Sequence, residues 1–169
     1  MKKTIYSTLI MSVAYAIVFM SPSKVISGQE YMLLSQLQAA GTQCESTPPD
    51  SLGPFYKAGA PVRASVGKGY ELRGVVKSSA DCAPIANAGV ELWLTNPAGD
   101  YDDDHRATIH SDDSGAYSFE SDVTPGYAGR PPHIHIRVSA NGLKILVTQH
   151  YPEIGQKAGE FDLVLIPLD

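Results

Sequence analysis

Short runs that alternate apolar and polar residues recur from residue 70 onward, each bounded by turn-forming residues. Alternation with a period of two is the pattern of β-strands that bury one face. Seven such runs predict strands at 70–76, 90–94, 107–110, 116–119, 134–139, 144–149 and 161–166. Asn141-Gly142 predicts a hairpin between two of them, and Asp113-Ser114-Gly115 predicts a similar turn. We therefore expect one all-β sandwich domain of about seven to eight short strands.

The N-terminal region has a different pattern. Lys2 and Lys3 precede an uncharged, mostly apolar run from Thr4 to Met20, which predicts an export signal over residues 1–27. A retained membrane anchor is the alternative, because the run is barely long enough to span a bilayer. Residues 28–46 form an N-terminal segment, in which 29–40 fits either a short helix or a mobile leader. The sandwich domain is assigned to residues 47–169, with no membrane association of the mature domain.

A proline-rich stretch opens this domain. Residues 47–56 hold three prolines and a glycine, so the stretch must be extended or turning, and we expect a loop laid across the domain. Two cysteines, Cys44 and Cys82, remain after export to a compartment where disulfides persist. One disulfide is expected between them, with two independent thiols as the alternative.

Length and charge limit the function classes. The 169 residues carry 18 acidic and 13 basic side chains, for a formal net charge of -5. Because no basic stripe is present to bind phosphates or an anionic membrane, nucleic acid is not expected as a partner. The sequence leaves open whether the chain is a monomer, a homo-oligomer or half of a mixed assembly.

The candidate chemistry begins in the run from His133 to Val138. Successive side chains of a strand point to opposite faces, so Ile134 and Ile136 are expected in the core while His133 and His135 share the other face. Imidazole nitrogens placed in this way are a common start to a metal site, although a His-x-His pair alone is weak evidence.

Two tyrosines and an arginine accompany this strand. Tyr127 and Arg130 lie on a proline-rich stretch that leads directly into the histidines, and Tyr101 follows Gly99-Asp100 after an earlier strand. A loop tyrosine is usually a half-buried ring with a solvated hydroxyl. The combination of residues, rather than either tyrosine alone, therefore indicates a site.

Short motifs follow one another along the domain: Thr47-Pro48, Gly53-Pro54-Phe55-Tyr56, Leu72-Arg73-Gly74-Val75-Val76, Cys82-Ala83-Pro84, Val90-Glu91-Leu92-Trp93, Gly99-Asp100-Tyr101, Pro125-Gly126-Tyr127, Arg130-Pro131-Pro132-His133-Ile134-His135 and Thr148-Gln149-His150-Tyr151. In this order they resemble the motifs of the intradiol ring-cleavage dioxygenases, most closely the protocatechuate 3,4-dioxygenase half of that family. The resemblance covers residue 47 to about residue 166.

The resemblance implies an enzyme with one non-haem Fe(III) ion. Tyr101, Tyr127, His133 and His135 match the four family ligands. Fe(III) is a hard ion whose charge can remove the proton from a phenol with an ordinary pKa of about 10. The implied reaction is the cleavage by O2 of a small aromatic diol, a catechol, between its two hydroxyl-bearing carbons, giving a cis,cis-muconate-type diacid.

Further roles follow from the same resemblance. Arg130 matches a catalytic, substrate-contacting arginine that stabilises developing negative charge, and Gln149 matches a residue beside it. Tyr127 is also expected to act in catalysis, leaving the metal when substrate binds. Gly53 and Pro54 match the loop that lines the substrate pocket. Only two residues separate Tyr127 from Arg130, a shorter loop than cytoplasmic members carry, so the substrate is not transferred with the family.

Two alternatives remain at this point. A non-catalytic, transthyretin-like binding module would have a similar pattern of strands and no need of the tyrosines. A copper or zinc sandwich enzyme would also use a His-x-His strand and one disulfide. The other histidines, His105, His110 and His150, match no ligand position and are expected to face solvent.

Overall fold

The computed structural model describes residues 43–126 and 128–169. Its eight strands in this part of the chain are β1 Gly69–Ser78, β2 Gly89–Trp93, β3 Arg106–His110, β4 Ala116–Asp122, β5 Ile134–Ser139, β6 Leu146–His150, β7 Ala158–Glu160 and β8 Leu163–Leu165. The predicted export signal and most of the N-terminal segment lie outside the described residues. Within them, no helix is long and apolar enough to span a membrane.

The strands form two sheets, so the expected all-β sandwich is confirmed. One sheet has the order β4-β1-β7, with β8 also paired to β1, and the other has the order β3-β2-β5-β6. Alternate side chains of each strand point inward, and those of the two sheets together form the core. Its largest members include Leu72, Phe119, Leu92 and Ile136, all fully buried.

The last predicted strand, 161–166, is present only as the shorter β8, Leu163–Leu165, and the unpredicted β7, Ala158–Glu160, comes before the predicted range. β7 and β8 both run parallel to β1 and are interrupted at Phe161 and Asp162. There the Asp162 carboxylate accepts the backbone N–H of Val75 at 2.9 Å and bonds Lys77 Nζ at 2.5 Å. A side chain thus takes the place of a backbone partner, which separates β7 from β8 and shortens the predicted strand at its start.

Of the two predicted turns, one closes a hairpin and one does not. Gly142 has a φ of 74° in the turn between the antiparallel strands β5 and β6, as predicted. Asp113-Ser114-Gly115 also turns the chain, with a hydrogen bond of 2.9 Å from Gly115 N to Asp112 O. It joins β3 to β4, however, which lie in different sheets. The chain therefore passes from one sheet to the other at this turn, and the turn does not close a hairpin.

Residues 47–56, the covering loop, have no helix or strand and cross between the sheets as predicted. Thr47 N donates to Val164 O in β8 at 3.1 Å, and Asp50 N donates to Val147 O in β6 at 2.9 Å. Thr148 Oγ1 adds a hydrogen bond of 3.0 Å to Pro48 O. These hydrogen bonds fix the loop over the outer face of β5 and β6, where the predicted site residues lie.

The expected disulfide is confirmed. Cys44 and Cys82 are bonded across a sequence separation of 38 residues. Cys44 comes just before the covering loop, and Cys82 lies in the turn after β1. The bond therefore anchors the chain at the start of the covering loop to the first sheet.

We expect replacement of both cysteines by serine to lower the free energy of unfolding by about 2 to 4 kcal/mol, because the unfolded chain loses a long covalent loop. Denaturant titration of the wild type and of the Cys44→Ser/Cys82→Ser variant measures this difference. Reduced wild-type protein serves as the control and should match the variant. Equal stability of the oxidised wild type and the variant would contradict a stabilising bond.

Candidate metal centre

The two predicted histidine ligands lie at the start of β5 with their rings directed away from the core. Ile134 and Ile136 are fully buried between the sheets, as the alternation predicts. His133 and His135 occupy the opposite face, yet each is only 2% exposed. This face was expected to be polar, but it is a second buried surface, because the covering loop and neighbouring aromatic rings lie over it.

The orientation of His135 is set by its cross-strand neighbours. Trp93 of β2 and Gln149 of β6 are its direct partners in the sheet register, so all three side chains share one face. The Trp93 and His135 rings stack with their centroids 5.0 Å apart and their planes 5° apart. His135 therefore has little freedom to rotate out of this position.

The covering loop approaches His135 at Gly53. Gly53 has a φ of +72°, and a Cβ atom there would lie 3.0 Å from His135 Cε1. Only glycine combines this backbone conformation with so close an approach. Gly53 and Pro54 were predicted to bind substrate. The structure places Gly53 against His135, a candidate metal-binding residue, and Pro54 is exposed.

Tyr101 brings its hydroxyl to the two histidines. Tyr101 Oη lies 3.1 Å from Nε2 of His133 and 3.1 Å from Nε2 of His135. Its ring stacks on Phe55 of the covering loop, with centroids 4.3 Å apart and planes 12° apart. Three of the four predicted ligands, from sequence positions more than 30 residues apart, thus meet at one point.

The hydrogen bond of His133 to the backbone defines which nitrogen faces this point. His133 Nδ1 lies 2.8 Å from Pro131 O, and a carbonyl oxygen can only accept, so Nδ1 carries the hydrogen. In the neutral ring Nε2 is then an acceptor with its lone pair toward Tyr101. A backbone carbonyl that fixes the imidazole in this way is the usual second contact of a metal-binding histidine.

The spacing of the three atoms fits a shared ion. Metal–nitrogen bonds of about 2.0 to 2.2 Å separate neighbouring ligand atoms by roughly 3 Å around one centre, as the two 3.1 Å distances do. Among the described residues, no group of three or more histidine, cysteine, aspartate and glutamate side chains could hold a metal ion. The candidate centre instead combines two imidazoles with a phenol.

The fourth predicted ligand, Tyr127, lies outside the described residues. Arg130, three positions later, is exposed, and its Nη2 donates to Gln149 Oε1 at 2.8 Å. Gln149 is 4% exposed and donates from Nε2 to Ser51 O of the covering loop at 2.9 Å. Gln149 therefore contacts Arg130 and lies beside His135, as the resemblance implies.

Tyr151 completes this polar network. Its hydroxyl accepts a hydrogen bond from Arg130 Nη2 at 3.1 Å and donates to Asp50 Oδ2 at 2.9 Å. The Tyr151 ring also lies 6.0 Å from that of His133. Arg130 is thus held beside the histidines by neutral partners, with the Asp50 carboxylate one hydrogen bond further away.

Sequence reasoning assigned no role to Trp93, Phe55 or Tyr151, although each stands in a motif that carries the family resemblance.

The three remaining histidines were predicted to face solvent, and two of these predictions are wrong. His110 is exposed as expected. The His105 side chain is 13% exposed and contacts two carboxylates, and His150 is half-buried with Nε2 2.6 Å from Tyr70 Oη.

The environment of His135 favours the neutral imidazole. Burial is the main effect and, together with the nearby His133 and Arg130, it lowers the pKa of His135 to about 4. The Ser51 backbone beside it acts in the opposite direction, but no described residue makes a hydrogen bond of ordinary geometry to Nδ1. A neutral, buried imidazole is the form that binds a metal ion.

Several known enzymes resemble this chain in sequence. No protein-family model matches the chain. Catechol 1,2-dioxygenase 2 of Acinetobacter lwoffii is 35% identical over 138 residues, which cover 61% of this chain and 50% of that protein. Chlorocatechol 1,2-dioxygenase of Pseudomonas sp. strain P51 is 29% identical over 141 residues, covering 63% and 56%. The chain thus spans about half the length of the curated relatives it matches.

One solved structure is similar to this chain over the full length of that structure. The dioxygenase domain of a dioxygenase and carbohydrate-binding fusion from Streptomyces sp. SirexAA-E has a TM-score of 0.66 and 25% identity, covering 73% of this chain and 100% of that domain. The resemblance in the motifs is therefore confirmed: the chain is similar in sequence and fold to the intradiol ring-cleavage dioxygenases. The narrower protocatechuate-type likeness stays a prediction.

We expect the metal-free protein to lose stability as the pH falls from about 6.5 to about 4. His135 resists protonation in the folded state, whereas the unfolded chain takes up a proton near pH 6.5, so acid favours unfolding. Between pH 7 and pH 5 this contribution is about 2 kcal/mol. Denaturant titrations in chelator at both pH values measure it.

The matched variants are His135→Gln, in which this loss should be absent, and His110→Gln, at an exposed position, which should retain it. A His135→Gln variant with the same pH dependence as the wild type would show that another group is responsible.

Proposed function

We propose that this chain is an Fe(III)-dependent intradiol dioxygenase. It cleaves the ring of a catechol-type aromatic between the two hydroxyl-bearing carbons with O2, and the product is a cis,cis-muconate-type diacid. The observation that carries the proposal is the meeting of Tyr101 Oη with the Nε2 atoms of His133 and His135 at 3.1 Å. The similarity to named catechol and chlorocatechol 1,2-dioxygenases supports the reaction class.

The donor set fits a trivalent ion of hard character. A phenol gives up its proton to a strongly charged ion, and the resulting phenolate neutralises part of that charge. The two histidines add nitrogen donors without adding charge. Tyr127 is proposed as the second phenolate from its place in the Pro125-Gly126-Tyr127 motif. When bound, Fe(III) would supply a Lewis acid that orients the catechol oxygens and makes the ring reactive toward O2.

Arg130 is proposed to stabilise negative charge that develops on the substrate. Its contacts support this role, because Gln149 and Tyr151 hold the guanidinium beside the histidines. Only Nη2 is engaged in these contacts, and the residue is exposed. The remaining N–H groups of Arg130 are proposed to contact the substrate.

The substrate is proposed at the level of the class. The relatives are named for catechol, chlorocatechol and hydroxyquinol, and protocatechuate or a lignin-derived catechol also fits the chemistry.

The protein is proposed to act outside the cytoplasm. The apolar N-terminal run and the Cys44–Cys82 disulfide support export, because such bonds persist in oxidising compartments.

We expect the purified chain to bind Fe(III) under air and to absorb visible light, because tyrosinate bound to Fe(III) is coloured. Tyr101→Phe should lose iron and colour, since it removes the phenolate donor. Elemental analysis and the visible spectrum measure both. Tyr70→Phe is the matched control, because it removes a buried hydroxyl that bonds His150 elsewhere in the fold, and it should keep the colour.

A wild-type chain that remains colourless and iron-free after aerobic loading would contradict the proposal and favour a non-catalytic sandwich module. Bound copper or zinc in place of iron would instead favour a copper or zinc sandwich enzyme.

We expect Arg130→Ala to keep iron and colour but to lose turnover by roughly 10²- to 10³-fold, because it removes charge stabilisation and leaves the metal ligands. Oxygen uptake across a panel of catechols measures turnover. Arg73→Ala, which removes an exposed arginine paired with Glu160 on the other sheet, is the control and should retain full activity. Normal turnover in Arg130→Ala would remove the assignment.

A further inference from the structure

The loop between β2 and β3, residues 94–105, holds Tyr101 between two of its own turns. Before the tyrosine, Asn96 Oδ1 accepts the backbone N–H of Asp100 at 3.0 Å. After it, Asp102 Oδ1 accepts the backbone N–H of His105 at 2.9 Å. Asn96 Nδ2 joins the two turns by donating to Asp102 Oδ2 at 2.8 Å. The backbone of Tyr101 is therefore fixed within the loop on both sides.

His105 connects this loop to the other sheet. Its Nδ1 lies 2.7 Å from Asp102 Oδ1, and its Nε2 lies 3.3 Å from Asp122 Oδ2. Asp122 is the last residue of β4, which pairs with β1 and not with β2 or β3. One nearly buried ring, 13% exposed, thus bridges the residue next to Tyr101 and the end of a strand in the opposite sheet.

The carboxylate on the loop side of this bridge is strongly held. Asp102 Oδ1 is contacted by both the backbone N–H and the ring Nδ1 of His105, at 2.9 Å and 2.7 Å. Asp102 Oδ2 accepts a hydrogen bond from Asn96 Nδ2, so both carboxylate oxygens are held. On the other side, Asp122 Oδ1 accepts the backbone N–H of Lys68 at 3.2 Å, which orients the second carboxylate.

A second contact joins the same two segments. Thr95 Oγ1 and Thr124 Oγ1 lie 2.6 Å apart, and both residues are buried. Thr95 is near the start of the Tyr101 loop, and Thr124 follows the end of β4 by two residues, in the segment that leads in sequence to Tyr127. The Tyr101 loop is thus attached to the end of β4 at both of its ends.

We propose that His105 is a positioning residue for the candidate metal centre. By bridging Asp102 and Asp122, it holds the Tyr101 loop against the end of β4 and so sets the distance of the Tyr101 hydroxyl from His133 and His135. The role goes beyond the family motifs, none of which includes His105. It rests on the proposed function only in so far as Tyr101 binds the metal.

The bridge is tested with two substitutions of His105. His105→Ala removes both ring contacts. His105→Asn places an amide N–H near the position of Nδ1, so it can keep the contact to Asp102 while losing the contact to Asp122. His110→Ala, which truncates an exposed histidine on β3, is the matched control. If bridging is the function, the asparagine variant should resemble the alanine variant.

Hydrogen exchange of the metal-free proteins gives the first measurement. Amides of residues 94–105 should exchange faster in both His105 variants and at the wild-type rate in the control. Amides of β5 should be unaffected in all of them, which separates local loosening of the loop from unfolding of the domain. Wild-type exchange of the loop in His105→Asn would overturn the bridge, because the contact within the loop would then suffice.

The iron-loaded proteins give the second measurement. In both variants a chelator should remove iron roughly 10- to 100-fold faster than from the wild type, as is typical when a partner of a metal ligand is lost. The visible absorption maximum should also shift, since it reports the geometry of the tyrosinate. An unshifted band with wild-type iron release would overturn the positioning role. Failure of the wild type to take up iron would overturn the proposed function alone, because exchange in the metal-free protein still tests the bridge.

Discussion

Strand β5 buries the side chains on both of its faces, and the position of the candidate centre depends on this constraint. Ile134 and Ile136 fill the space between the sheets, while His133 and His135 are covered from outside by rings and by the covering loop. A buried imidazole must satisfy its polar atoms or lose stability. Tyr101 and the Pro131 carbonyl meet this requirement for His133, and the same contacts direct a nitrogen lone pair to the point where the phenol arrives.

The acidic side chains near this point are paired with other groups. The Asp50 carboxylate accepts a hydrogen bond from Tyr151, and Glu91 is paired with Arg137 on the same outer face. Both acids have partners of their own, so the donors that converge at the centre are two imidazoles and a phenol. This composition fits the proposed Fe(III) ion, whose high charge can ionise a phenol.

Local patterns predicted the parts of the structure that depend on neighbouring residues. Strand β5 matches its predicted bounds because its alternation is strict, and Gly142 forms the turn that Asn141-Gly142 indicates. Strand β7, with the sequence Ala-Gly-Glu, has no such pattern and exists because it pairs with β1 from more than 80 residues away. The environments of His105 and His150 were mispredicted for the same reason, since Asp122 and Tyr70 are their partners only in the folded chain.

The site follows the same division. His133 and His135 could be predicted from spacing within one strand, and Tyr101 and Arg130 only through the family resemblance. The orienting contacts of Trp93 and Phe55 depend on ring geometry across strands and loops, which no single sequence pattern encodes. The structure places the Tyr101 hydroxyl 3.1 Å from both histidines, as the ligand roles implied by the resemblance require.

The close approach of Gly53 to His135 also limits how the covering loop can vary. Leu52 and Pro54, on either side, are exposed, so their side chains can be exchanged with little effect on packing. At position 53 any side chain would have to displace the imidazole and would also strain the backbone. The fold is thus compatible with many side chains at positions 52 and 54, whereas position 53 requires glycine.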